Sequence, residues 1–160
     1  MLLTRFFTVF ALCGLAFPIL AQNDADMAAL NSAIETQRQI TEAQRTMIVT
    51  DNTLLTAAES EEFWPLYREY RGEVAKLNDR FVKLIRLYGA NYETLKDDEA
   101  MQLLKDSFRI ESDRIKLTQR YSTKFNKIIP GTKVMRFLQI EARLDAILEL
   151  KVRHSIPLVM

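Results

Sequence analysis

Four cations, Lys116, Arg120, Lys124 and Lys127, recur at steps of four, four and three, the spacing that gathers side chains on one face of a helix. The surrounding stretch 114–140 also holds Arg114, Lys133 and Arg136 and contains no acidic residue. Such a stripe can attract carboxylates or phosphates on a partner, with Tyr121 and Phe125 beside it for apolar contact. The same pattern also arises without a partner, because cations favour a helix C-terminus and a solvated basic face is common.

Other reactive residue types do not assemble into a catalytic or metal-binding pattern. His154 is the only histidine, and a lone histidine without a cysteine beside it makes no zinc or copper site. Glu61-Glu62 and Asp97-Asp98-Glu99 are acidic clusters, but adjacent helical residues diverge, and calcium needs six or more converging oxygens. The favourable field at a helix N-terminus accounts for both. No serine–histidine–aspartate order is arguable around a C-terminal histidine, and glycine-rich phosphate loops are absent. The reading is of a non-enzyme without cofactor or metal. Met27, Met47, Met101 and Met135 are scattered, which suits core filling better than an adaptable binding surface.

The elements that carry these residues begin with a targeting segment. Met1 to Arg5 is a short basic start, followed by the apolar run "FFTVFALCGLAF" and a cleavage point after Ala21. The run is shorter than the roughly 20 residues of a bilayer span, so an exported, periplasmic chain is expected rather than an anchored one. Leu12 before Cys13 does not suit a lipobox, and removing the segment leaves no cysteine. Residues 22–160 then hold 21 basic and 21 acidic residues, so bulk charge selects neither nucleic acid nor an anionic surface.

Glycine and proline are scarce, which leaves little turn chemistry for a β protein and predicts an all-α fold: an arm over 22–53 and a helical domain over 54–160. A first helix is expected at about Asp26 to Val49. Its thin stripe, Met27, Leu30, Ile34, Ile40 and Met47, predicts a loosely docked arm. The second opens with Thr56 as N-cap and Glu59 three residues on, a capping box. Phe63, Leu66, Tyr70, Val74, Leu77, Phe81, Leu84 and Tyr88 follow as one stripe, ending near Gly89. The third helix, about Asp97 to Ile129, carries two stripes: Met101, Leu104, Phe108 and Ile115, then Leu103, Ile110, Leu117, Tyr121 and Ile128. Two stripes predict two contacts, with helices of this chain or with a second chain. A fourth helix runs from about Thr132 to Arg153, turning Phe137, Ile140, Leu144, Ile147 and Leu148 inward. After it, "SIPLVM" packs into a groove or serves as a C-terminal tag.

Pro65 lies inside the second helix, where it removes a hydrogen bond to the Glu61 carbonyl at a cost of ~3 kcal/mol. The helix either bends there or restarts with proline in its first turn. Trp64 is then either buried or set on a hollow side open to partners.

"LTAAESEEFWPLYREY" resembles the LTxxQ-type signature and its Phe-Trp-Pro-x-Tyr-x-x-Tyr continuation in the Spy/CpxP-like periplasmic proteins. Leu55, Thr56, Glu59, Trp64 and Pro65 occupy the motif, with glutamate in place of glutamine. The likeness covers roughly residues 54–153; the second copy expected before the last helix, "IIPGTKVMRFLQIE", keeps Gln139 but not Leu-Thr. The resemblance implies a bent helical hairpin that forms an antiparallel, cradle-like homodimer. It implies ATP-independent binding of non-native envelope proteins, through Trp64, Tyr67, Lys116, Arg120, Lys124 and Lys127 on a concave basic and apolar face. A regulatory subunit docking on a membrane sensor is the alternative it allows; a metal-responsive envelope protein, from another class, is a second competitor.

Overall fold

The computed structural model describes residues 28, 29, 31, 32 and 42–158. Among them the chain forms four long helices, α1 (Glu42–Thr53), α2 (Ala57–Gly89), α3 (Asp97–Phe125) and α4 (Gly131–His154), and no strand. The fold is an all-α, four-helix bundle. The predicted targeting segment, 1–21, lies outside the described residues, as do Met27, Leu30, Ile34 and Ile40 of the first predicted stripe. No helix among the described residues is long and apolar enough to cross a membrane.

α2 begins where the capping box predicts. The Glu59 N–H donates to Thr56 Oγ1 at 3.3 Å and the Thr56 N–H donates to Glu59 Oε2 at 2.7 Å. Leu54, just before, takes φ 60°, a left-handed conformation that leucine adopts at a cost. α2 then runs as one unbroken helix through Pro65, so the restart does not occur. Pro65 and Glu61 both lie on the exposed face, where water can serve the carbonyl that lost its donor.

α2 and α3 pair as an antiparallel hairpin, pinned by Arg114 Nη2 donating to Asn78 Oδ1 at 3.0 Å. α4 runs back parallel to α2 and packs against both helices of the hairpin. One end of this contact is an aromatic cluster: Phe63, Phe125 and Phe137 have ring centroids 4.8–5.3 Å apart, with Tyr67, Tyr70 and Tyr121 around them. Each such pair contributes about 0.5–1.5 kcal/mol beyond the area it buries. The far end is a smaller cluster of Val82, Ile85 and Val152, against which Phe81 and Ile156 pack. Tyr88 Oη donates to the Pro157 carbonyl at 2.7 Å, so the tail up to Pro157 is packed against α2.

Several expectations are corrected. α1 is docked rather than loose: Arg45, Val49 and Thr53, at steps of four, are all buried against the bundle, whereas Met47 is exposed. The apolar stripe of α2 changes register in its second half, where Val82 and Ile85 replace Phe81 and Leu84 as the buried positions, because a new neighbour, the end of α4, takes over there. On α3 one stripe is packed through Ile110, Leu117 and Tyr121, while Met101, Leu104, Phe108 and Ile115 all face solvent. Met135 and Ile147 are exposed too, so Met47, Met101 and Met135 do not fill a core.

Candidate functional site

The open edge of the α2–α3 hairpin brings Lys76, Arg80, Lys116 and Arg120 together around a groove of about 450 Å³, with Glu73 and Asp113 as the acidic members and Leu77 and Leu117 as the floor. A second hollow continues it along the same edge, lined by Lys83, Leu84, Leu87, Arg109 and Ile110. From Arg109 to Arg120 this edge spans roughly 17 Å at the helical rise. It exists because both helices place apolar residues at the seam and long cations just outside it, where stems cover the seam and heads reach water.

Charge on this edge is only partly balanced. Arg80 donates to Asp113 at 2.8 Å, and that bond, before the counteracting burial, holds the Asp113 carboxyl below its usual range. Lys76 pairs with Glu73 and Arg109 with Asp106. Lys83, Lys116 and Arg120 form no ion pair among the described residues, so the edge is net basic. Around α3 from the groove, Met101, Leu104, Phe108 and Ile115 form a ridge with exposures of 45–64 %.

The predicted partner-binding residues divide between two places. Lys116 and Arg120 line the basic groove. Lys124 lies beyond it, donating to Glu69 at 2.8 Å and resting 4.5 Å from the Tyr121 ring centre, so its charge is engaged within the chain. Hydrogen bonds from Lys124 and then Tyr121 keep the Glu69 carboxyl low, and burial pushes the Tyr121 hydroxyl up to about 12. Lys127 is exposed in the turn after α3. Tyr67 points instead toward α4. Tyr67 is 2 % exposed, packs on Phe137 and donates to Glu141 Oε1 at 3.1 Å, which places it in the core and not on a partner surface. Trp64 is half-buried, edge-on to Phe63 and Tyr67.

The motif residues are structural. Leu55 packs on the aromatic cluster, Thr56 caps α2, and Glu59, besides closing the box, accepts from Lys133 of α4. That last bond ties the starts of α2 and α4 together and is the leading cause of the low Glu59 pKa.

A buried polar cluster was not foreseen. Glu141 of α4 is 2 % exposed and accepts from Arg45 of α1 at 2.9 Å, Arg71 of α2 at 3.0 Å and Tyr67. Arg45 also reaches Asp145 at 2.8 Å. Burial raises the Glu141 carboxyl above its ordinary value, against the pull of Arg45 and Arg71. Chain separations of 96 and 70 residues leave no local spacing that could reveal the group. Every partner is a structural side chain, and no bond is left open for chemistry. Among the described residues no three His, Cys, Asp or Glu side chains converge as a metal site.

No protein-family model, curated protein or solved structure matches the chain.

Proposed function

We propose that this chain is an exported, periplasmic, ATP-independent binder of non-native proteins, of the Spy/CpxP-like kind, working as a homodimer without cofactor. Two observations carry the reading: the net-basic groove at the α2–α3 edge, and the exposed apolar ridge that runs along α3 about a third of a turn or more round from it. Lys116 and Arg120 attract anionic segments at long range; Phe108, Ile115, Leu104 and Met101 supply contact at short range. Full burial of one such side chain is worth about 1.5–3 kcal/mol, so four that are already part-covered supply several kcal/mol before association costs. That suits loose, reversible holding.

The partner surface in this reading is the hairpin edge, not a hollow containing Trp64 and Tyr67. Light scattering of a chemically unfolded substrate, diluted with and without equimolar protein, tests it. Suppressed aggregation that is weakened by Phe108→Asp and by Lys116→Glu with Arg120→Glu supports the reading. Unchanged scattering removes it and favours the regulatory subunit.

A further inference from the structure

The ties between α1 and the rest of the bundle are separable. Its buried positions are Arg45, Val49 and Thr53, and Arg136 of α4 donates to the carbonyl of Asn52, where both residues are exposed and can turn to water instead. The Thr53 hydroxyl is satisfied inside α1, donating to the Val49 carbonyl at 2.7 Å, so only Arg45 needs a buried polar partner elsewhere. The seat on α4 is equally self-sufficient. With α1 lifted away, Glu141 keeps Arg71 and Tyr67, and Asp145, with a side chain 39 % exposed, is open to water. The connection to α2 is short, and it contains Leu54 at φ 60°, the one non-glycine residue with positive φ among the described residues. Its side chain is 60 % exposed, so no burial offsets the unfavourable backbone.

A detachable element at one side of a bundle, a short strained hinge and a specific seat that every copy carries are the conditions for exchange between identical chains. We propose that the α1 seat on α4 is an interface with a second copy: opening at Leu54 lets α1 of each chain dock on the other, Arg45 on the partner's Glu141 and the partner's Asp145. The contacts are the same as those within one chain, and the hinge relaxes. The inference rests on the self-association proposed above and gives it an interface. It is independent of whether the hairpin edge holds clients.

Sedimentation of the full chain over a concentration series, with hydrogen exchange of the α1 amides, tests this. Leu54→Pro fixes φ near −65° and bars the folded-back hinge. It is expected to produce a dimer at roughly tenfold lower concentration than the wild type, with α1 still protected. Leu54→Gly removes the strain and is expected to weaken the dimer by about the same factor. Phe108→Asp changes neither result. A Leu54→Pro chain that stays monomeric, with α1 protected or not, overturns the proposal. So does a dimer that Phe108→Asp abolishes and both Leu54 variants leave alone, since that dimer is built on the α3 ridge. If Leu54→Pro does not fold, an unchanged dimer in Leu54→Gly is sufficient to refute it. Failure of the client reading looks different: exchange intact and scattering unaffected.

Discussion

The two charged regions of this molecule use the same residue types to opposite ends. Around Glu141, two arginines and a tyrosine are sealed between α1, α2 and α4 with every bond made. Along the α2–α3 edge, arginines and lysines outnumber the acids and stand in water. Burial makes the difference. A sealed charge is costly to leave unpaired, so the cluster fixes how three helices meet. An exposed charge is screened within a Debye length of about 8–10 Å, so the edge adds little to the fold and remains free to attract partners.

The largest effect separating the two comes from Glu141→Ala. It removes the buried acceptor that Arg45 and Arg71 share and is expected to cost about 3–5 kcal/mol in urea unfolding. A loss below about 1 kcal/mol would mean that water reaches the cluster and that the contrast is overstated.

Next comes the paired reversal Lys116→Glu with Arg120→Glu. Binding of unfolded substrate should fall roughly tenfold at low salt and less at high salt, with helicity and urea midpoint unchanged. Lys124→Glu does not belong in that variant, because it sets a carboxylate beside Glu69 and disturbs the fold as well as the surface. Loss of midpoint in the double variant would move the edge into the structural class.

Tyr67→Phe removes one donor from Glu141 while two arginines remain, and about 1 kcal/mol should be lost. Circular dichroism melts at neutral pH measure this.

The smallest and most diagnostic effect is that of pH. Glu59, Glu69, Glu73 and Asp113 are held below their ordinary values by hydrogen bonds from Lys133, Lys124, Lys76 and Arg80 in turn. Their stabilisation is present above those ordinary values, 4.5 for glutamate and 3.8 for aspartate, and is lost as pH falls through the folded-state values. Glu141 runs the other way: its raised value means the fold binds a proton sooner than the unfolded chain, so stability rises as pH falls through the window just above 4.5. Urea midpoints should therefore fall modestly below about pH 4, and a slight rise toward acid above it should vanish in Glu141→Gln.

How much of this was legible in the sequence follows from distance along the chain. Thr56 with Glu59 sets the start of α2 within four residues, and the structure places the cap there. The third helix, expected to run to about Ile129, ends at Phe125; a turn fills 126–129, and Pro130 caps the start of α4 instead. Periodicity located both stripes of α3 but could not say which one a neighbour covers: Leu117 and Met101 look alike until α2 is in place. The α1–α4 contact was misread because its key residues are an arginine and a threonine, which a search for apolar spacing passes over. The basic groove was half found, through Lys116 and Arg120; its other wall, Lys76 and Arg80, sits some 40 residues earlier and required the hairpin.

The single tryptophan has a practical consequence. Trp64 touches Phe63 and Tyr67 edge-on at 5.0 and 5.3 Å, so its emission colour reports on the aromatic end of the bundle alone. Val82, Ile85 and Val152 at the far end contain no such chromophore, and fraying there passes unseen in tryptophan fluorescence while far-UV ellipticity already declines. A gap between those two curves would be a direct optical reading of unfolding from the tail inward.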